Sequence, residues 1–154
     1  MTENAEDRLV RLGVALPPPP SPAANYLPAV MCGNLLFLSG HGSRGPDGSP
    51  LVGQVGGTVT VEQAYGHARA AGLRLLASAR HRLGSLGRVR RVVKVTGYVN
   101  AAPGFRAHSQ VVNGCSDLLV EVFGPVGRHA RAAVGVDSLP DEVAVEIEAV
   151  LEVQ

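Results

Sequence analysis

The chain has no tryptophan and only six aromatic residues in 154: Phe37, Phe105, Phe123, Tyr26, Tyr65 and Tyr98. It has one lysine, Lys94, against 13 arginines. Its two cysteines, Cys32 and Cys115, lie far apart. Each scarcity excludes something. Few aromatics leave little to stack on bases, so a single-strand nucleic-acid platform is not expected. Two distant cysteines form neither a CxxC pair nor a zinc-ligand spacing, which argues against a disulfide scaffold or a metal ribbon. A net charge of +1 argues against a protein that coats nucleic acid. No apolar run approaches the roughly 18 residues of a transmembrane helix. The first residues, Met1 to Arg11, carry acids and no apolar stretch, so no secretory signal is read there. A reduced, cytoplasmic chain is the expectation.

What is present fits one domain. The length lies within the roughly 100–200 residues usual for one, and a 45% hydrophobic content can fill a core. Gly (19) and Pro (11) make about a fifth of the chain, which predicts many loops. The excess of arginine over lysine, with abundant Ala, Gly and Val, is most simply coding composition.

A short amphipathic helix is predicted over residues 3–14, with Leu9, Leu12 and Val14 as its apolar side. Pro17 to Pro20 then forbid helix. Residues 1–23 therefore read as an N-terminal extension and proline-rich connector, and residues 24–154 as the domain. Two short apolar runs, Ala29 to Cys32 and Leu35 to Ser39, flank Gly33-Asn34, a hairpin signal. Residues 40–57 read as loop, with a turn at Gly45-Pro46-Asp47-Gly48 and a short strand over Leu51 to Val55.

Thr60-Val61-Glu62-Gln63 is a capping box. Apolar or small residues follow at 61, 65, 68, 72, 76, 79, 83 and 86, the spacing of one buried helix face. His67, Arg74 and His81 fall on the other side, and Gly84 and Gly87 end the helix. Val89 to Val99 alternates as a strand, with Val89, Val93, Val95 and Gly97 on one side. A second helix is predicted from about Ser109 to Phe123, with Val111, Val112, Cys115, Leu118, Leu119 and Val122 buried. Two strands, Ala130 to Val136 and Val143 to Val153, close the chain. On the last, Val143, Val145, Ile147, Ala149, Leu151 and Val153 face one way. Ala144, Glu146, Glu148, Val150 and Glu152 face the other. The whole predicts an α/β (α+β) sandwich, a sheet with helices on one face. The glutamate face could be solvated, a subunit interface or a cleft floor. In a partly dry cleft, burial would raise the carboxyl pKa toward proton transfer near neutral pH.

P-loop, GxGxxG, HExxH and GxSxG signatures are absent. The histidines (41, 67, 81, 108, 129) show no ligand pairing, so no metal is expected. His67 and His81 read as surface residues. The basic run Arg88 to Lys94 reads as a solvated strand, and Cys115 as core.

Arg131-Ala132-Ala133-Val134-Gly135-Val136-Asp137-Ser138-Leu139-Pro140, followed by Val145-Glu146-Ile147-Glu148-Ala149-Val150, resembles the RidA (YjgF-like) family. Tyr26, the Gly33-Asn34 hairpin ending in Ser39-Gly40, and Asn113 fall in register with it. The resemblance covers roughly residues 24–153. It implies a chorismate-mutase-like fold and a homotrimer whose sheets face inward, with clefts between subunits. It implies cofactor-free hydrolysis of reactive enamines and imines such as 2-aminoacrylate to keto acid and ammonia. Arg131 would grip the substrate carboxylate and Glu146 would handle water and protons. The Ala133 backbone would position that water, and Tyr26, Ser39 and Asn113 would contact substrate. Two further readings stay open: a non-catalytic trimer that binds small carboxylates, and an endoribonuclease. The chain departs from the family at Ala133, where a cysteine is usual, and at His41, where glutamine is usual. His41 either adds an acid/base group to the cleft or is a polar loop residue, and the loop reading is preferred. His129 would share a side with Arg131 if its strand ran through it.

Overall fold

The computed structural model describes residues 3–154. Helix α1 (Ala5–Leu12) is bounded by side-chain chemistry. Asn4 and Asp7 cap each other reciprocally, and Gly13, at φ +65°, ends it. The helix is thus shorter at both ends than predicted. Ala5 and Leu9 join the core, while Leu12 stays exposed. Glu6 accepts the Leu86 backbone N–H at 2.8 Å, which fastens α1 beneath the end of α2.

Strands β1 (Ala29–Cys32) and β2 (Leu35–Gly42) form the predicted hairpin, with Cys32 opposite Leu35 and Gly33 at φ +60°. Leu36 and Leu38 point into the core, and Phe37 points out. The strand predicted over Leu51 to Val55 is not formed. Val52 and Val55 make only isolated bridges. Gly53 at φ +130° and Gly56 at φ +85° bend the chain out of any ladder.

Helix α2 (Val61–Leu83) starts at the predicted cap, with Thr60 and Gln63 each accepting the other's backbone N–H. Its buried face corrects the predicted stripe. Ala64, Ala68, Ala71, Gly72, Leu75, Leu76 and Ala79 are buried, whereas Val61 and Tyr65 are only partly covered. His67 and Arg74, expected in solvent, are half-buried, and His81 is exposed.

Strand β3 (Val89–Asn100) carries two register shifts, between Val89 and Arg91 and between Val92 and Lys94. Each bulge resets the alternation, so Val92 is buried and Val93 is not, the reverse of the predicted pattern. Helix α3 (His108–Phe123) packs on this strand where Gly97 leaves room, since a Cβ there would lie 2.5 Å from Val112 Cγ2. It returns the chain to β4 (Ala130–Val136), parallel to β3. Strand β5 (Val145–Val153) begins two residues later than predicted. Val145, Ile147, Ala149, Leu151 and Val153 are buried, and the residues between them are half-covered. Ala144, expected on the glutamate face, is fully buried.

The sheet order is β1-β2-β5-β3-β4, antiparallel except for β3–β4. Helices α2 and α3 cover one face. The other face is open and carries an apolar patch in which Val30 is paired with Phe37, and Phe37 with Val150. Val30, on the edge strand β1, and Phe37, on β2 inside the sheet, are 47% and 44% exposed, and together they form an apolar patch open to water. Among the described residues no helix is long and apolar enough to cross a membrane.

Candidate functional site

Chemistry-bearing side chains gather in two places. The first is at the start of the edge strand β4. Arg131 lies opposite Val95 in the parallel pair, so its side chain leaves the sheet on the helix face. There its guanidinium donates to Asn113 Oδ1 at 2.7 Å, to Ser116 Oγ at 3.2 Å and to the Ser109 carbonyl at 3.4 Å. All three acceptors belong to α3 and all are neutral. The neighbouring carboxylates are occupied elsewhere: Asp117 accepts from the Tyr65 hydroxyl, and Glu121 is held by both terminal nitrogens of Arg69. Arg131 is therefore oriented but uncompensated, as an anion-binding guanidinium requires.

His129 completes this cluster. Strand β4 starts one residue after it, yet its Nε2 lies 2.8 Å from Ser116 Oγ and its Nδ1 faces the Gly127 carbonyl at 2.6 Å. A carbonyl can only accept, so the proton is assigned to Nδ1 and Nε2 accepts from Ser116. Burial, with the nearby charge of Arg131, lowers the His129 pKa despite the Gly127 contact, which keeps the ring neutral. The chain of bonds runs from Arg131 through Ser116 and His129 to the backbone.

The second place is a cavity of about 810 Å³ at the far end of β2. Tyr26, Ser39, His41, Arg74, Glu146 and Glu148 line it. The β2 bulge shapes it: Leu38 pairs with Ala149 and His41 with Ile147, leaving one extra residue between. Gly40 comes so close to Glu146 that a Cβ would sit 2.9 Å from the carboxylate. Burial, and after it the charge of Glu148, raise the Glu146 pKa. Glu148 itself accepts from the Tyr98 hydroxyl at 2.9 Å. Ser39 donates to the Leu27 carbonyl, pinning the segment that carries Tyr26.

The structure brings Arg131 and Asn113 together, and Tyr26, Ser39 and Glu146 together. It does not bring the two groups together within one chain. Glu146 pairs with Tyr98 on the open face, while Arg131 is on the helix face. Ala133 lies on β4 beside Gly97. Sequence reasoning missed Ser116 and Arg74, because hydrophobic periodicity says nothing about which polar residues converge.

His41 is corrected. It is a strand residue, 4% exposed, turned into the core by the bulge. Nδ1 faces the Ser39 carbonyl and Nε2 the Ser78 hydroxyl. Burial pushes its pKa down to about 4, against a weaker opposing effect of the Ser39 contact. A buried neutral histidine favours the folded state fully above the unfolded pKa near 6.5, and that contribution is lost as pH falls toward 4. Between about pH 7 and pH 5 the wild type should lose roughly 2 kcal/mol from this group. Urea unfolding at fixed chain concentration should show a smaller loss in His41→Gln; equal losses would remove His41 as the cause.

Cys115 is fully buried, with its thiol pushed up to about 12, and acts as core. Cys32 is exposed. Among the described residues no cluster of His, Cys, Asp or Glu could hold a metal.

The family model described as "YjgF/chorismate_mutase-like, putative endoribonuclease" matches residues 6–147. The chain belongs to the YjgF/RidA family. The matched span contains both clusters except Glu148. Protein TCP17 of Trypanosoma cruzi is 45% identical over 145 residues, which are 94% of this chain and 91% of the relative. A protein of unknown function from Agrobacterium tumefaciens is 41% identical, with TM-score 0.88, covering 97% of this chain and 93% of its own. A "putative endoribonuclease" from Shewanella oneidensis is 30% identical, with TM-score 0.93, covering 97% and 99%.

Proposed function

We propose that the chain is a cofactor-free enamine/imine deaminase of small carboxylates, working as a homotrimer whose sites lie between subunits. The observation that carries this is the uncompensated Arg131, fixed by three neutral acceptors on α3. Its planar fork suits a carboxylate. The separation of Arg131 from Glu146 within one chain supports a shared site, in which one subunit's Arg131 faces the Glu146 cavity of the next. Exposed Val30 and Phe37, beside half-covered Val150, support an interface on the open sheet face, because a lone chain would leave them in water.

In this mechanism Arg131 holds the substrate carboxylate. For an enamine, protonated Glu146 first gives its proton to the β-carbon, which yields the iminium. Glu146 as carboxylate then takes a proton from water while the oxygen attacks the iminium carbon. Glu146 returns the proton to the carbinolamine nitrogen, ammonia leaves, and Glu146 takes the hydroxyl proton as the C=O of the keto acid forms, which restores its protonated state. A carboxyl that serves as both acid and base works best with a pKa moved toward neutrality, the direction burial and Glu148 impose.

An amino-acid oxidase coupled to semicarbazide trapping tests the proposal. Adding the protein should speed keto acid release and lower semicarbazone yield. Glu146→Gln should reduce that effect by roughly a hundredfold. The rate should fall with acidification through a pKa above the ordinary carboxylate range. Carboxylate binding with no acceleration would instead identify a binding protein.

A further inference from the structure

The Glu146 cavity contains a cation that the chemistry above does not use. Arg74, on α2, is half-buried, and none of the ion pairs among the described residues includes it. Among the described residues its one hydrogen bond goes to the Gly42 carbonyl. Gly42 is the residue paired with Glu146 across β2 and β5, so the guanidinium bonds the backbone beside Glu146; Arg74 comes from the helix face and the Glu146 side chain from the open face, and both line the one cavity at the end of β2. Arg44, lining the same cavity, is neutralised by Asp141, whereas Arg74 is not. Burial and the Arg44 charge both press against the Arg74 charge, and Tyr26 eases it. A half-buried guanidinium in this state gains when an anion arrives. The cavity, at about 810 Å³, is also far roomier than a three-carbon acid needs.

We infer that Arg74, with Tyr26 beside it, recognises a second carboxylate, so that the preferred substrates are dicarboxylic imines and enamines of four or five carbons. This rests on the reading of the site given above. Arg131 of one subunit takes the carboxylate next to the reacting carbon, Glu146 faces that carbon, and Arg74 takes the distal carboxylate. Arg74 is a specificity residue and touches no reacting atom.

The stable product keto acids make the test independent of turnover. Calorimetry compares 2-oxoglutarate with 2-oxobutyrate on the wild type, Arg74→Met and Arg74→Lys. The wild type should bind 2-oxoglutarate at least tenfold more tightly. That ratio should collapse in Arg74→Met and be largely kept in Arg74→Lys, with melting temperatures verifying that both fold. The kcat/KM ratio for 2-iminoglutarate over 2-iminobutyrate should move in parallel. Equal wild-type affinities, or a preference that survives in Arg74→Met, overturns the inference while leaving the deaminase reading in place. An Arg74-dependent preference without imine hydrolysis upholds the inference and overturns the deaminase. If neither keto acid binds, the inference falls, and the deaminase reading is decided by the trapping assay alone.

Discussion

Replacing Arg131 with alanine should lower kcat/KM for the proposed imine hydrolysis by roughly a hundredfold to a thousandfold and leave the fold intact. The size follows from what is lost. A positioned, charge-assisted pair to a carboxylate, formed where water is partly excluded, contributes about 3–4 kcal/mol to the bound transition state. The small effect on stability follows from what Arg131 now touches. Its three protein bonds go to neutral groups near the surface, and Asn113, Ser116 and the Ser109 carbonyl can turn to water instead. Arg131→Lys should fall between, since it keeps the charge but not the fork. Steady-state rates with trapped imine, alongside urea midpoints, measure both quantities. An unchanged rate in Arg131→Ala would remove the residue from the site. A large loss of stability would mean that the guanidinium holds the structure together.

Three neutral acceptors surround an arginine that has no acid partner among the described residues. Asn113 and Ser116 lie on the same side of α3, three residues apart, and both reach Arg131. Ser116 in turn is fixed by His129. Orientation is supplied without neutralising the charge. A glutamate at either α3 position would fix Arg131 as well and close it to an anion.

The elements were legible where the signal is local. The Thr60–Gln63 box, the Gly33-Asn34 turn and the alternation from Val145 onward each depend on a few neighbouring residues, and each appears where the pattern placed it. Bulges were not legible, because a bulge is set by the partner strand. One extra residue after Leu38 turned His41 from an expected loop position into a buried strand position, and two shifts in β3 exchanged Val92 and Val93. The buried side of α2 was blurred because alanine fits equally well in a core or on a surface. Arg74 could not be found by periodicity at all. Its half-burial depends on the Gly42 carbonyl, 32 residues away in sequence. Arg131 was visible only through resemblance, while alternation put Glu146 on a face left open between solvent, interface and cleft floor. That they lie on opposite faces of the sheet needed the register of β3, β4 and β5.

The small residues of the helix layer lead to the second large effect. Gly114→Ala should destabilise the protein by at least about 3 kcal/mol, equivalent to roughly 10 °C in melting temperature for a chain of this size. Helices α2 and α3 meet at two glycines. At Gly72 an added Cβ would lie 3.0 Å from Cys115 Sγ and from Leu118 Cδ2, side-chain atoms with some freedom to move. At Gly114 it would overlap the Tyr65 carbonyl and lie 3.1 Å from the Arg69 backbone nitrogen. Backbone inside a helix cannot step aside without breaking that helix, so α3 must lift from α2 and uncover part of the layer between them. Gly66→Ala is the control. It places the same methyl on an exposed site of α2 with nothing within 4 Å, and should stabilise by about 0.5–1 kcal/mol through helix propensity. Activity should follow the first change and not the second. Gly114 stands between Asn113 and Ser116, so a shifted α3 carries away both side chains that aim Arg131. Thermal melts and imine-hydrolysis rates on the two variants separate these outcomes. A Gly114→Ala protein as stable as the wild type would show that the layers are less closely packed than the backbone distances require.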